Sequence, residues 1–318
     1  MEMGRGLNGI EVIASVNPAR VGENVTFRAI PPTALPSGSW AVGDRVLVVT
    51  WLGEQQAVFP GHEGRARVNI SSGDLHLSSV SVEDSGVYVL QSNDPSLRAN
   101  TSLTVLEPIA NVTLTVRNTT LVEFTSAVRL TCLASGSSVS FQWVNGSSEV
   151  VRRMGVLLED GNRTLIIQNV TRYDVGPFSC HVNNALGSAT SHLIPLLISY
   201  GPEDMSLAMT GSLLVGSNLT LFCRASSQPP ALLEWLVDGE SLNATGQETL
   251  ELGRVEERHS GLYSCRAFNN MTLRWSSVTK RLVISMPAPP LSKAQPLKIV
   301  TLSWLCVLAV SLWLYLSC

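Results

Sequence analysis

One spacing pattern occurs three times along this chain and governs what the chain can fold into. Each copy reads apolar-x-apolar, two residues, Val, three residues, Asp or His, then x-Gly-x-Tyr/Phe-x and a Cys or Leu. The first copy is Leu75, Leu77, Val80, Asp84, Gly86, Tyr88 and Leu90. The second is Leu165, Ile167, Val170, Asp174, Gly176, Phe178 and Cys180, and the third is Leu250, Leu252, Val255, His259, Gly261, Tyr263 and Cys265. Upstream of each lies an alternating apolar strand followed by a tryptophan. These are Val25, Phe27, Ala29 with Trp40; Val128, Leu130, Cys132 with Trp143; and Leu219, Leu221, Cys223 with Trp235. A gapless repeat of this kind means tandem copies of one supersecondary unit. At 318 residues the chain has room for two or three domains.

Cys…Trp…Asp-x-Gly-x-Tyr-x-Cys is the constellation an immunoglobulin-type β-sandwich uses. A cysteine of strand B meets one of strand F across the two sheets, and the strand-C tryptophan packs on the bridge. The tyrosine fixes the E–F corner through its hydroxyl. Period-two alternation places Val128, Leu130 and Cys132 on one inner face. Four body cysteines allow three pairings, and the repeat selects Cys132–Cys180 and Cys223–Cys265. Each bridge closes a long loop, worth about 4 kcal/mol in the chain-entropy view. No Cys-x₂-Cys or Cys/His cluster has the spacing of a zinc site. The fold class expected is therefore all-β: three tandem sandwiches, one V-type without a disulfide and two of C2/I type, followed by a hydrophobic C-terminal segment.

The copies differ in informative ways. Ala29 and Leu90 occupy the cysteine positions of the first domain, so apolar packing replaces its bridge. Arg67, at the start of strand D, is expected to pair with Asp84. In the second domain Asp174 keeps the corner position while Phe178 lacks the hydroxyl, and in the third His259 replaces the aspartate. Glu107-Pro108 and Tyr200-Gly201-Pro202 mark short joints, which predict an extended array. The expected boundaries are 1–9 unassigned, 10–107 V-type, 108–201 C2-type, 202–286 C2-type, 287–298 linker and 299–318 tail.

Asn-x-Ser/Thr acceptors begin at Asn24, Asn69, Asn100, Asn111, Asn118, Asn145, Asn162, Asn169, Asn218, Asn243 and Asn270. Their spread through the whole chain before the tail points to the secretory pathway and a sugar-bearing surface. Met1 to Ile10 is too polar and short for a signal-peptide core, so the expectation is a leader upstream of it. Residues 299–318 carry no charge and would span about 30 Å as a helix, enough for a hydrocarbon core. Two readings compete: a glycosylphosphatidylinositol attachment signal, with Ser285 or Ser292 as upstream sites, or a retained transmembrane helix. The lipid anchor is favoured, and either places the chain on the extracellular face of the plasma membrane.

The second domain carries Trp143-Val144-Asn145-Gly146, Gly161-Asn162-Arg163-Thr164-Leu165 and Asp174-Val175-Gly176-Pro177-Phe178. With Tyr200-Gly201-Pro202-Glu203, Ser260-Gly261-Leu262-Tyr263, Ser39-Trp40 and Gly43-Asp44-Arg45-Val46, these resemble segments of the carcinoembryonic-antigen-related cell adhesion molecules. The likeness covers roughly Ile10 to Ser285. It implies adhesion or recognition through the GFCC′ face of the first domain, with a same or related immunoglobulin-superfamily surface protein as partner. It also implies lipid-anchored relatives, and a first domain without a bridge. Strand parity sets Ser39, Ala41, Val89, Gln91 and Asn93 outward, because Trp40 and Leu90 point inward. Trp51 is either an exposed binding anchor on the C′ strand or ordinary core; its parity is not fixed by the sequence.

Nothing in the chain is arranged for catalysis. His62, His76, His181, His192 and His259 are scattered singly, and no phosphate loop, Gly-x-Ser-x-Gly or His-Glu-x-x-His occurs. No cofactor or metal is implied. A net charge of −3 gives no electrostatic footprint for nucleic acid. Besides adhesion, the readings carried are a receptor or decoy surface for a foreign ligand and a passive glycocalyx spacer.

Overall fold

The computed structural model describes residues 9–43, 45–93 and 97–288, with the side chains of 243–245 outside that description. Expectations for residues 1–8 and for the tail at 299–318 therefore lie outside the described residues. Among the described residues, no helix is long and apolar enough to cross a membrane. The described residues form two compact units: one from residues 9–203 with 226–231 and 268–274, the other from residues 204–225, 232–267 and 275–288.

The chain is all-β. Its first sandwich contains β1 (Glu11–Ala14), β2 (Ala19–Arg20), β3 (Val25–Ile30), β4 (Ser37–Val42), β5 (Val46–Leu52) and β6 (Gln55–Val58). It continues with β7 (Ala66–Asn69), β8 (Asp74–Leu77), β9 (Gly86–Ser92), β10 (Arg98–Leu103) and β11 (Val105–Leu106). One sheet has the order β1-β3-β8-β7 and the facing sheet β10-β9-β4-β5-β6, while β11 pairs in parallel with β2. Alternation builds the core directly. In β3, Val25, Phe27 and Ala29 are buried while Arg28 and Ile30 are exposed. Phe27 stacks on Tyr88 at 4.2 Å between ring centroids and lies 5.8 Å from Trp40.

Ala29 and Leu90 are both 2 % exposed at the positions where the other copies carry cysteines. Burying a leucine side chain contributes about 1.5–3 kcal/mol, somewhat less than the bridge it stands in for. The Trp40 indole donates from Nε1 to the carbonyl of Gly73 at 3.1 Å, so its one polar atom is satisfied inside the core.

The ion pair of this domain differs from the sequence expectation. Asp84, 4 % exposed in the 3-10 turn Val82–Asp84, is clamped by Arg65 rather than Arg67. Arg65 Nη1 donates to Oδ2 at 2.8 Å and Nη2 to Oδ1 at 2.9 Å. Arg67 sits within β7 in register with His76, exposed on the outer face of its sheet. Arg65 precedes the strand, where the chain end lies beside the turn.

The second sandwich holds β12 (Ala110–Arg117), β13 (Leu121–Val122), β14 (Val128–Ser135), β15 (Ser140–Asn145) and β16 (Ser148–Glu149). Four more strands follow: β17 (Val156–Glu159), β18 (Thr164–Ile167), β19 (Phe178–Asn184) and β20 (Gly187–Thr190). Its sheets run β12-β14-β18-β17 and β16-β15-β19-β20. Cys132 and Cys180 are bridged and wholly buried, and Trp143 Nε1 donates to the Asn162 carbonyl at 2.7 Å. Without a corner tyrosine, Phe178 fills the same place at 1 % exposure. Asp174 instead accepts from the Thr171 backbone and hydroxyl, each at 2.8 Å.

β21 (Ile198–Gly211) begins in parallel pairing with β13 and continues into the third copy. There follow β22 (Asn218–Gln228), β23 (Leu232–Val237), β24 (Glu240–Thr245), β25 (Thr249–Arg254), β26 (Gly261–Asn269) and β27 (Arg274–Leu282). Within this copy the orders are β21-β22-β25 and β24-β23-β26-β27. Cys223 and Cys265 are bridged, and Trp235 donates to the Gln247 carbonyl at 3.0 Å. Tyr263 keeps the corner bond, its hydroxyl donating to the His259 carbonyl at 3.0 Å, as Tyr88 does to Asp84 at 2.9 Å. His259 takes over the other task of the missing aspartate: its Nδ1 accepts from the Glu256 backbone at 3.0 Å.

Candidate functional site

The outer face of β10-β9-β4-β5-β6 can be laid out in rows, because residues in register across a sheet share a face. Arg98, Gln91, Ser39, Thr50 and Ala57 form one row. Asn100, Val89, Ala41 and Leu47 form the next. On the other side of the first row, Ser37, Leu52 and Gln55 align. Ser37, Ser39, Thr50, Leu52, Gln55 and Gln91 line an open concavity of about 860 Å³. Among the described residues, no charged side chain lines it.

The residues named from sequence parity are only partly brought together. Gln91 and Ala41 are half-buried on this face, whereas Val89 points the same way but is 7 % exposed. Asn93 is exposed and lies beyond the end of β9, at the margin of the concavity.

Trp51 is not an exposed anchor. It faces inward at 4 % exposure, and its Nε1 donates to the Leu35 carbonyl at 2.8 Å. The cause is local. A Cβ added to Gly38, its cross-strand partner, would come within 2.7 Å of the indole, so the missing side chain makes the slot. A β-bulge between Trp40 and Ala41 on one strand and Val49 and Leu47 on the other leaves Val48 unpaired. Val48 and Val49 are consecutively buried, which breaks simple alternation along β5. Among the described residues, the most exposed apolar side chain on this face is Leu52, at 70 % exposure, which parity counting missed.

The glycan acceptors Asn24, Asn69, Asn100, Asn111, Asn118, Asn162, Asn169, Asn218 and Asn270 are exposed, and Asn145 is half-buried. Asn243 falls in β24, outside the side chains described. Two further asparagines have a structural task that the repeat pattern does not signal. Asn184 and Asn269 each end a strand four residues after a bridged cysteine. Asn184 Nδ2 donates to the Glu107 carbonyl at 3.1 Å, and Asn269 Nδ2 to the Tyr200 carbonyl at 3.0 Å.

The perturbed charges of the molecule belong to such structural clasps. Burial pushes the Asp84 carboxyl up, but hydrogen bonds from Arg65 and Ser81 and the Arg65 charge outweigh it and hold the group low. Arg172 is held in its charged form by hydrogen bonds with Glu123 and Glu203 and lies 4.0 Å over the Tyr200 ring. Desolvation lowers His62 despite the nearby Asp84 carboxylate. Among the described residues, no group of three or more His, Cys, Asp or Glu could hold a metal ion.

Residues 111–194 match the immunoglobulin I-set domain family, and residues 206–269 match a further immunoglobulin domain family. Among solved structures, that of murine CEACAM1b is 28% identical, covering 59% of this chain and 99% of its own, with a TM-score of 0.51. The full ectodomain (Ig1–Ig3) of mouse nectin-like molecule 4 is 20% identical over 87% of this chain and 100% of its own, with a TM-score of 0.54. The I-band fragment I67–I69 of titin is 18% identical over 91% and 100%, with a TM-score of 0.50. The last two likenesses are of fold alone. The chain carries immunoglobulin-superfamily domains, an architecture shared with adhesion and structural proteins.

Proposed function

We propose that this chain of immunoglobulin-superfamily domains is a glycosylated cell-surface recognition protein of the carcinoembryonic-antigen-related adhesion type. Its first domain meets a second copy of itself, or a related immunoglobulin-superfamily surface protein, through the outer face of β10-β9-β4-β5-β6. The observation that carries this reading is the uncharged concavity on that face, with Leu52 70 % exposed at its rim. Protein interfaces concentrate their energy where an apolar anchor is ringed by polar groups that desolvate cheaply, with charge depleted from the centre. Serine, threonine and glutamine side chains around Leu52 and Leu47 meet that description. The likeness to murine CEACAM1b supports it.

The remaining domain assignments follow the repeat: 10–107, 108–201 and 202–286 as the three sandwiches, and 287–298 as a linker. The uncharged run at 299–318 directs attachment of a lipid and is cut off in the process, and the lipid tethers the chain to the outer face of the plasma membrane.

The test uses the intact ectodomain on beads. Leu52→Arg and Gln91→Arg place a charge in the concavity at positions that are not buried, so each is expected to abolish aggregation without loss of folding. Aggregation unchanged in both variants would move the site elsewhere and leave the chain as a spacer.

A further inference from the structure

We propose that the N-linked glycan of Asn100 packs across the apolar rows of this same face and leaves the concavity as the open part of it. This inference concerns the sheet surface and does not depend on what binds there. Asn24 precedes β3 and Asn69 ends β7, so both belong to the opposite sheet of the first domain. Asn100 is different: it lies within β10, on the edge of the face itself. Its buried neighbour Ala99 and the buried Leu103 point inward, so Asn100 and Ser102 of the acceptor triplet both point out.

From Asn100 the row runs through Val89 and Ala41 to Leu47, and from Ser102 it runs to Val87. Val87 is 47 % exposed on the neighbouring strand, so apolar surface lies beside the acceptor. Neighbouring strands lie about 4.8 Å apart, so β9 and β4 fall within about 10 Å of β10, a distance that two linked pyranose rings cover. The C–H face of an N-acetylglucosamine pair would meet Val87 and Ala41, while its hydroxyls face water. Burial of apolar surface favours this arrangement. The concavity begins at the next row, Gln91–Ser39–Thr50, and takes in Leu47 on β5, three strands from Asn100 and beyond the first two sugars.

The test is hydroxyl-radical footprinting of the ectodomain made in mammalian cells, with occupancy of Asn100 read by glycopeptide mass spectrometry. Ser102→Ala removes the acceptor triplet while leaving Asn100, and Ser102→Thr keeps it. The expected result is an occupied Asn100 and a several-fold rise in oxidation of Val87 in Ser102→Ala. Ser102→Thr should behave as wild type, and Leu52 should label equally in all three proteins. Three results would overturn the proposal: an unoccupied Asn100, unchanged labelling of Val87, or a rise at Leu52 matching that at Val87. None of these readouts involves association, so a failed adhesion reading is told apart from a failed glycan placement.

Discussion

Replacing Arg65 by methionine should destabilise the first domain by an amount the same change at Arg67 will not approach. Asp84 is 4 % exposed, and both its carboxylate oxygens accept from Arg65. Breaking one side of a buried pair strands the other charge, at a cost of about 3–5 kcal/mol. The lower end applies, because the Arg65 side chain is 26 % exposed and Ser81 still donates to Asp84 from its backbone at 2.7 Å. A loss of about 3 kcal/mol raises the opening equilibrium roughly 150-fold. Hydrogen exchange of the β8 and β9 amides in the intact ectodomain reads that change directly. Arg67→Met, on an exposed strand position, should stay within about 0.5 kcal/mol of wild type. The pH dependence has a definite sign. The folded Asp84 carboxyl lies below its ordinary value of 3.8, so the stabilisation is present above that value and is lost as pH falls through the lower, folded one. Without Arg65 the upward push of burial is less opposed, so the gap between wild type and variant should be full at neutral pH and close in strong acid. Equal costs for the two arginine variants, or a gap that persists in acid, would refute the reasoning.

Trp51→Ala should cost about 3–5 kcal/mol by emptying the slot over Gly38. Thermal unfolding of the first domain would show it, and any adhesion defect of this variant would report folding rather than contact. His259→Ala should cost about 1 kcal/mol in the third domain, the scale of a lost turn cap. His259→Asp should restore most of that in the same melting experiment, since a carboxylate can accept from the Glu256 backbone as Asp84 does from Ser81. Phosphatidylinositol-specific phospholipase C should release the ectodomain from expressing cells; a protein that stays bound and retains Cys318 would mean a transmembrane helix instead.

The sequence made the sandwich cores legible because their positions repeat with fixed spacing. Trp40, Trp143 and Trp235, the two cysteine pairs and the vacant Ala29 and Leu90 can all be read without coordinates. What escaped depends on where strands stop and slip. Arg65 and Arg67 share parity, so only the true start of β7 at Ala66 decides which one reaches the turn. The inward setting of Trp51 needed both the bulge at Val48 and the absent side chain of Gly38, neither of which alternation can reveal. Leu52 was hidden by the same slip. His259 could have been foreseen as a cap, because an unprotonated ring nitrogen accepts as a carboxylate does. Asn184 and Asn269 could have been found by extending the repeat four residues past each cysteine.

The bridge-free first domain bears on how the chain is made. Residues 10–107 carry no cysteine, so this domain offers no thiol to an oxidising compartment. It can finish folding without an oxidase and cannot be trapped in a mixed disulfide with a later segment. Cys132 and Cys180, bonded to each other in the folded chain, both emerge before Cys223 does. The order of synthesis itself thus steers the four body thiols away from the two wrong pairings, and the first sandwich is held by packing that contains no bond a reductant could break.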